Sequence, residues 1–350
     1  MPAHIGRPAV QLAAHRVTTD DLVDHVRSAH PDHPRMPFWE RLMRNGGVQQ
    51  RYWTRPLAEA TRTTGVAHRA DVAFGDALDL AETAARQALD VAGLDPGDVD
   101  AIVTSHTTSW TVPGLDVHLL NRLGLRPTVS RIPLSTLACA GGAHGLVRAL
   151  HYTQARPGAR VLVVVAETLS TIYHEEETSP QSMIYRALFG DAAAATVVTG
   201  VDEARTSGLG PGLIALDGIE LVLPDSRDRY WGTIDAAGLH FESTRAAAQA
   251  AADALPYITD WLGGRRTEWA VAHPGGPRII DDVIAGLGLN PEKDGRHSHD
   301  SLSENGNLGG SAVLDVLRRT HDDPPIPGAP GVLAAFGPGF AVGGVYGIWS

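Results

Sequence analysis

The sequence DAIVTSHT at residues 100–107, followed by PGLDVHLLNRLG at residues 113–124, combines a short apolar run, a polar turn and a helical pattern. The same order returns in EWAVAHPGGPRIIDDVIAGLG at residues 268–288. Few identities relate the two stretches, so a chance alignment stays open as an alternative. If the two stretches are a true repeat, the pattern predicts that the chain consists of two similar halves. We place these halves at residues 1–205 and 206–350.

Both halves continue in the same way beyond these stretches. Cys139 lies 39 positions after Asp100, and Asn307 lies 39 positions after Glu268. Small residues and a helical pattern follow each of them, and then comes a strand pattern, GARVLVVVAE (158–167) or GVLAAFGPGF (331–340). Such alternation favours an α/β fold. The repeat also predicts that Cys139 and Asn307 occupy equivalent turns and meet near the axis relating the halves.

Composition excludes several classes of protein. Hydrophobic residues make up 43% of the 350 residues, which is ample for a large core. The net charge of −11 argues against nucleic acid as a partner. No apolar stretch is long enough to span a membrane, and the first residues lack the pattern of a signal peptide. We therefore expect a cytoplasmic protein with no nucleic-acid or membrane partner.

The chain contains one cysteine, Cys139, which excludes an intrachain disulfide and a zinc site of several thiolates. A lone cysteine often serves as a small buried hydrophobic residue. This one lies in LACAGGA (137–143), at a predicted strand-to-helix turn, where a helix N-terminus lowers a thiol pKa. The small neighbours leave room for a thioester, although they also suit helix packing alone. We predict that Cys139 is a nucleophile and that no metal is bound.

Two further residues complete a candidate set. Thioester chemistry on a thiolate needs a group that supports the sulfur and donors that stabilise an oxyanion. His273 ends a predicted strand before a Gly-Gly-Pro turn, but it is one of 16 histidines. Asn307 lies in a glycine-rich turn, where asparagine often serves only the backbone conformation. Neither residue is decisive alone, but with Cys139 and the repeat spacing they form a Cys/His/Asn set.

Nine collinear motifs cover essentially the whole chain and resemble the chalcone synthase-related family of type III polyketide synthases. They are GVQQRY (47–52), PGLD (113–116), LACAGG (137–142), RVLVVVAE (160–167), ALFGDAAAA (187–195), GLHF (238–241), HPGGPRII (273–280), SENGNLG (303–309) and FGPGF (336–340). The resemblance implies a thiolase-like, layered αβαβα fold made of two similar halves.

The resemblance also implies an acyltransferase reaction. An acyl starter moves from coenzyme A to Cys139, and a malonyl-coenzyme A-type extender loses CO₂. His273 and Asn307 stabilise the thiolate and the resulting enolate, which attacks the Cys139 thioester. Repeated rounds build a polyketide that cyclises. The coenzyme A thioesters are substrates, and no other cofactor is required.

Family positions assign further residues to substrate binding. Phe189 and Phe241 match gatekeeper phenylalanines between the coenzyme A tunnel and the elongation cavity. Thr107, Gly232 and Gly309 fall where the family tunes cavity volume.

Coenzyme A itself is assigned to Arg41, Gly276 and Arg278. Phe38 and Asn45 occupy positions that are often basic in the family. Three nearby arginines are candidates to replace them, although a solvated basic face is the simpler interpretation of each: Arg44, Arg51 and Arg55.

The segment SWTVPGLD (109–116) resembles the family loop that crosses a two-fold dimer into the partner's cavity. Val112 is the residue that would reach across, and the resemblance implies a cis Val112–Pro113 bond. An apolar tip of Trp110, Val112 and Pro113 is poorly placed in water, which favours a homodimer. The alternative is that Trp110 covers the core of its own chain.

Two other functions stay open. A ketoacyl synthase III uses the same three residue types for one condensation on acyl carrier protein, but HPGGPRII and FGPG favour the polyketide synthases. A non-catalytic thiolase-fold subunit is the second alternative, and retention of all three site residues argues against it. The starter, the extender, the number of condensations and the mode of cyclisation are open.

Overall fold

The computed structural model describes residues 1–62 and 64–350. Ten strands form one sheet in the order β12-β13-β14-β9-β1-β8-β7-β5-β6, with β2 beside β8. The strands of the described residues are β1 (Ala3–Ile5), β2 (Ala9–Leu12), β3 (His15–Thr18), β4 (Gln50–Trp53), β5 (Ala101–His106), β6 (Ser130–Ser135), β7 (Arg160–Glu167), β8 (Ala192–Gly200), β9 (Leu213–Val222), β10 (Tyr230–Ile234), β11 (Leu239–Ser243), β12 (Trp269–Ala272), β13 (Pro330–Gly337) and β14 (Ala341–Trp349).

Helices cover the sheet, and α5 and α10 lie within the helical patterns of residues 113–124 and 278–288 to within one residue. Those in the described residues are α1 (Thr19–Ala29), α2 (Met36–Arg44), α3 (Leu57–Ala60), α4 (Val66–Ala92), α5 (Leu115–Leu123), α6 (Gly141–Ala155), α7 (Pro180–Leu188), α8 (Val201–Thr206), α9 (Ala247–Leu262), α10 (Pro277–Gly286), α11 (Pro291–Asp294), α12 (Arg296–Asn305) and α13 (Ala312–Asp322). None of the helices described is both long and apolar enough to cross a membrane.

The same strand pairing occurs twice. In the first half, β5 is parallel to β7, and β8 is antiparallel to both β7 and β1. In the second half, β12 is parallel to β13, and β14 is antiparallel to both β13 and β9. Antiparallel pairing of β1 with β9 joins the halves into one sheet. The predicted α/β fold of two similar halves is therefore confirmed, while the boundary at 205/206 falls within α8 and stays a prediction.

Side-chain alternation along the central strands produces the layers. On β7, Val163 packs against α6 in one apolar cluster, whereas Leu162 packs with the alanines of α4 in another. On β13, Leu333 packs with α13, and Val332 faces the cluster of α9 and α10. Helices α6 and α13 thus form a middle layer between the strands of the two halves, which is the layered arrangement expected.

The middle layer requires glycine where its two helices begin. A Cβ atom on Gly142 of α6 would lie 2.2 Å from the carbonyl oxygen of Gly310, just before α13. That oxygen belongs to the backbone, so it cannot move without shifting the start of α13. Gly142 therefore permits the close approach that brings the Cys139 turn next to the Asn307 turn.

We expect Gly142→Ala to lower the free energy of unfolding by about 1–3 kcal/mol, because it overpacks this contact. Urea denaturation followed by circular dichroism measures the change. Gly158→Ala is the matched control, since no heavy atom lies within 4 Å of a Cβ at that exposed position. Equal unfolding midpoints for the two variants would contradict the proposed role of the contact.

Candidate functional site

One cavity of about 170 Å³ is lined by Cys139, His273 and Asn307. Cys139 lies in the 3₁₀ turn Ala138–Ala140 that leads into α6. His273 directly follows β12, and Asn307 precedes the 3₁₀ turn that leads into α13. The structure therefore brings together three residues that the sequence separates by up to 168 positions. Cys139 comes from one half and the other two residues come from the other half.

The amide of Asn307 has a defined orientation. Its Oδ1 accepts a hydrogen bond of 2.9 Å from the backbone N–H of Gly309, and the sulfur of Cys139 lies 3.9 Å from Oδ1 and 3.8 Å from Nδ2. Gly306 and Gly309 adopt the left-handed backbone conformations of this turn, with φ of 72° and 60°. Asn307 is therefore not needed for an unusual backbone conformation, and its side chain is a donor directed into the cavity.

Burial dominates the electrostatics of the cavity. It raises the pKa of the Cys139 thiol to about 12, and the nearby Glu167 carboxylate adds to the effect. The expectation that the helix start lowers this pKa is wrong, because the loss of hydration outweighs the local helix field. Burial lowers the pKa of His273 to about 3. Burial therefore disfavours the charged form of both groups.

The predicted gatekeepers lie beside one another. The ring centroids of Phe189 and Phe241 are 6.2 Å apart, and Phe189 lines the cavity. Two tyrosines that the sequence interpretation missed complete this aromatic cluster. Tyr185 packs on Phe189 and donates a hydrogen bond of 2.5 Å to Ser243 Oγ, while Tyr230 packs on Phe241. Both tyrosines line the Cys139 cavity, so they narrow it.

Glu167 is a third residue that the sequence interpretation missed. It ends β7 and is fully buried, and burial raises its pKa to about 8. Its Oε2 accepts the backbone N–H groups of Thr107 and Thr108, while its Oε1 has no partner among the described residues. The available signal was its position, because an acidic residue directly follows the apolar run VLVVVA at residues 161–166.

The residues predicted to tune the cavity volume lie in three different settings. Thr107 accepts a hydrogen bond of 2.9 Å from Ala138 N–H and lines a neighbouring cavity of about 320 Å³. Gly232 is exposed on β10, where a Cβ atom would lie 3.1 Å from the ring of Phe241. Gly309 is buried against Glu167. Their effect on cavity volume stays a prediction.

The candidate coenzyme A residues lie on two helices whose ends are close together. Arg41 is exposed on α2, with its guanidinium 5.6 Å from the ring centroid of Phe38. The loop after α2 meets the start of α10, since a Cβ atom on Gly47 would lie 2.6 Å from Pro277. Gly276 caps α10, and Arg278 on its first turn pairs with Asp282 at 3.3 Å.

The three arginines suggested in place of basic residues at positions 38 and 45 contact other groups of the protein. Arg51 is fully buried and donates to Thr19 Oγ1 and to the carbonyl of Ala187, so its proposed phosphate contact is wrong. Arg44 and Arg55 each pair with an aspartate, at 2.6 and 2.7 Å respectively.

The loop at residues 109–116 has an apolar, exposed tip. Trp110 is 78% exposed and Val112 is 81% exposed, so Trp110 does not cover the core of its own chain. The Val112–Pro113 bond is cis, which confirms that expectation.

Comparison with known proteins gives a consistent picture. The model of the N-terminal domain of chalcone and stilbene synthases matches residues 40–202, and the C-terminal domain model matches residues 217–347. Phloroglucinol synthase of Pseudomonas fluorescens is 32% identical over 349 residues, covering 98% of both chains. The 1,3,6,8-tetrahydroxynaphthalene synthase of Streptomyces coelicolor is 31% identical, covering 99% of this chain and 92% of that protein. Germicidin synthase of Streptomyces coelicolor, a type III polyketide synthase, has a TM-score of 0.93 at 32% identity and full coverage of both chains.

We expect Tyr230→Ala and Tyr185→Ala to admit longer acyl groups at Cys139, because each removes a ring that lines the cavity. Mass spectrometry of the acylated protein, with short and long acyl-coenzyme A thioesters in competition, measures the preference. Tyr257→Ala, at an exposed position on α9, is the control and should leave the ratio unchanged. An unchanged ratio in both cavity variants would show that the tyrosines do not set the size limit.

Proposed function

Because the chain belongs to the chalcone and stilbene synthase family, we propose that it loads a coenzyme A-linked acyl starter on Cys139 and extends it with malonyl-coenzyme A-type units. The chain is a type III polyketide synthase, an acyltransferase that catalyses decarboxylative condensation. The observation that supports this use of Cys139 is the shared cavity, in which a thiol, an imidazole and an amide donor converge from both halves.

The neutral resting state suggests how loading proceeds. His273 is the basic side chain among the described residues that line the cavity, so it accepts the Cys139 proton as the sulfur attacks the thioester carbonyl. The new carbon–sulfur bond replaces the bond to coenzyme A, and the proton then passes to the departing coenzyme A sulfur. In the same step, the Asn307 amide stabilises the oxyanion that forms at the thioester carbonyl.

Extension of the acyl chain needs a carbon nucleophile, and decarboxylation supplies it without a separate base. Loss of CO₂ from a malonyl thioester leaves an enolate, whose negative oxygen needs hydrogen-bond donors. Asn307 Nδ2 and the imidazole N–H of His273 are the donors we assign to it. The enolate carbon then attacks the Cys139 thioester. A thiolase-like mechanism would need a second cysteine as base, and the chain has none.

Substrate delivery and location follow as further parts of the proposal. We assign the phosphates of coenzyme A to the face that carries Arg41 and Arg278, with Gly276 leaving space at the start of α10. No metal or redox cofactor takes part, and the enzyme acts in the cytoplasm without nucleic acid. Product formation from free malonyl-coenzyme A in the absence of acyl carrier protein distinguishes this function from that of a ketoacyl synthase III.

We expect Asn307→Ala to slow malonyl-coenzyme A decarboxylation by about 10²–10³-fold while acyl loading falls less, because its main role is on the enolate. His273→Ala should slow both steps, since the imidazole also takes the Cys139 proton. Cys139→Ala should abolish loading and polyketide formation with the fold intact, and it sets the baseline. Rapid-quench measurement of CO₂ release and of acylated protein separates the steps. Normal decarboxylation by Asn307→Ala would refute the division of roles.

We further propose a homodimer in which the loop tip at residues 110–113 packs against a second copy of this chain. The exposed Trp110 and Val112 favour such a contact, and a two-fold axis buries both tips at once.

We expect Val112→Met to shift products toward shorter chains or smaller starters, because a longer side chain would fill more of the partner's cavity. Light scattering measures the assembly, and mass spectrometry measures the products. Ile326→Met, at an exposed position elsewhere, is the control. A monomer at assay concentration would remove the basis for this expectation.

A further inference from the structure

The hairpin of β10 and β11 has one face toward the Cys139 cavity. Tyr230 and Ser243 are paired across its two strands and line the cavity, and Phe241 packs on Phe189. His240 immediately precedes Phe241, so strand alternation places its side chain on the opposite face.

On that opposite face, His240 lies between two carboxylates. Its Nδ1 is 2.5 Å from Glu177 Oε1, and its Nε2 is 2.9 Å from Asp235 Oδ1. Asp235 belongs to the turn of the same hairpin, where its Oδ1 also accepts the N–H of Ala237. Glu177 belongs to the segment between β7 and α7 in the first half. The contact with Glu177 therefore connects the hairpin to the other half of the chain.

We propose that His240, in its imidazolium form, is a latch that holds the β10–β11 hairpin closed over the Cys139 cavity. An imidazolium has two N–H donors and a neutral imidazole has one, so only the charged ring satisfies both carboxylates. On loss of the proton, one carboxylate faces a ring lone pair. Asp235 is held in place by its own turn, so the bond to Glu177 is the one that is lost. His240 is thus a positioning residue for the aromatic gate.

The charged and titratable surroundings agree with a charged His240. Partial burial lowers its pKa, but the hydrogen bonds to Asp235 and Glu177 and their charges outweigh burial, so the pKa is raised. His174 stacks on the ring at 4.0 Å, and burial lowers its pKa, so it is the neutral member of the pair. Two arginines lie nearby: Arg69 beside Gly238 and Arg186 on the carbonyl of Glu177.

The direction of the pH dependence follows from the raised pKa. The latch is fully formed below the ordinary histidine pKa of about 6.5. It is lost as the pH rises through the higher value of His240 in the folded protein. The latch therefore holds below the ordinary histidine pKa, and its contact with Glu177 is lost above the raised pKa of His240.

A bound metal ion is a poorer explanation of this cluster. Ligand atoms of His174, Glu177 and His240 lie within 4.8 Å of one another, a spacing that suits a metal site. The two imidazole rings are nearly parallel, however, with 14° between their planes. Ring nitrogens bind metals through lone pairs in the ring plane, and stacked rings do not direct those lone pairs to one point.

Cys139 supplies a direct test, because it is the only thiol in the chain. Iodoacetamide and the bulkier iodoacetanilide both react with the thiolate. Both alkylation rates therefore depend in the same way on the pKa of Cys139, and this dependence divides out of their ratio. The ratio reports the access of the larger reagent to the cavity. The wild-type protein is measured with EDTA present. We expect the rate of alkylation by iodoacetanilide, divided by the rate with iodoacetamide, to rise several-fold with pH. The rise should occur in one transition above the ordinary pKa of histidine.

Variants at the latch should each change that curve in a different way. His240→Arg keeps a charged donor group at every pH, so its ratio should stay low. His240→Phe should give a high ratio throughout. Glu177→Gln removes one negative charge, so its transition should move to lower pH. His151→Arg, at an exposed histidine on α6, is the control and should follow the wild-type curve.

A wild-type ratio independent of pH would overturn the latch, and so would a His240→Phe curve that matches the wild type. Disappearance of the transition on addition of EDTA would assign the cluster to a metal instead. Because alkylation is measured instead of turnover, the latch and the proposed catalytic role of Cys139 can fail separately.

Discussion

The close contact between Gly142 and Gly310 is the constraint on which the site depends. A single methyl group at Gly142 would meet the carbonyl oxygen of Gly310 at 2.2 Å, so the start of α6 lies directly against the backbone of the turn before α13. Cys139 and Asn307 lie immediately before these turns, one on each half. Their separation is therefore set by backbone packing in the middle layer, and not by flexible side chains at the cavity wall.

The same close packing determines the charge state of the site. Cys139 and His273 are buried between the two halves, so the loss of hydration raises the pKa of Cys139 and lowers that of His273. Ionising either group alone is therefore unfavourable. A proton that moves from the thiol to the imidazole creates a pair of opposite charges, which attract strongly in surroundings of low dielectric constant. The enclosure that suppresses a resting thiolate thus also strengthens the donor contacts to any oxyanion that forms.

Features with a local or periodic signature could be predicted from the sequence. The buried strand β7, the helix α5 and the doubled pattern around Cys139 and Asn307 all lie within short windows. The pKa of Cys139 could not, because burial sums the effect of many distant residues. Arg51 was misassigned for the same reason, since its partners include the carbonyl of Ala187, 136 positions away. Tyr185 and Ser243, 58 positions apart, likewise meet only after the halves have packed.

Access to the cavity depends on a second kind of contact between the halves. Phe189 and Tyr185 come from the first half, whereas Phe241 and Tyr230 come from the hairpin of the second, and they meet through rings and hydroxyl groups. Side chains can be exchanged or titrated without moving the backbone contact at Gly142. In our proposal, the reacting groups are therefore held by the backbone contact between the halves, and the aromatic side chains control the opening that admits substrate. On this proposal, substitutions among the aromatic side chains change the choice of acyl group while the distance between Cys139 and Asn307 stays fixed.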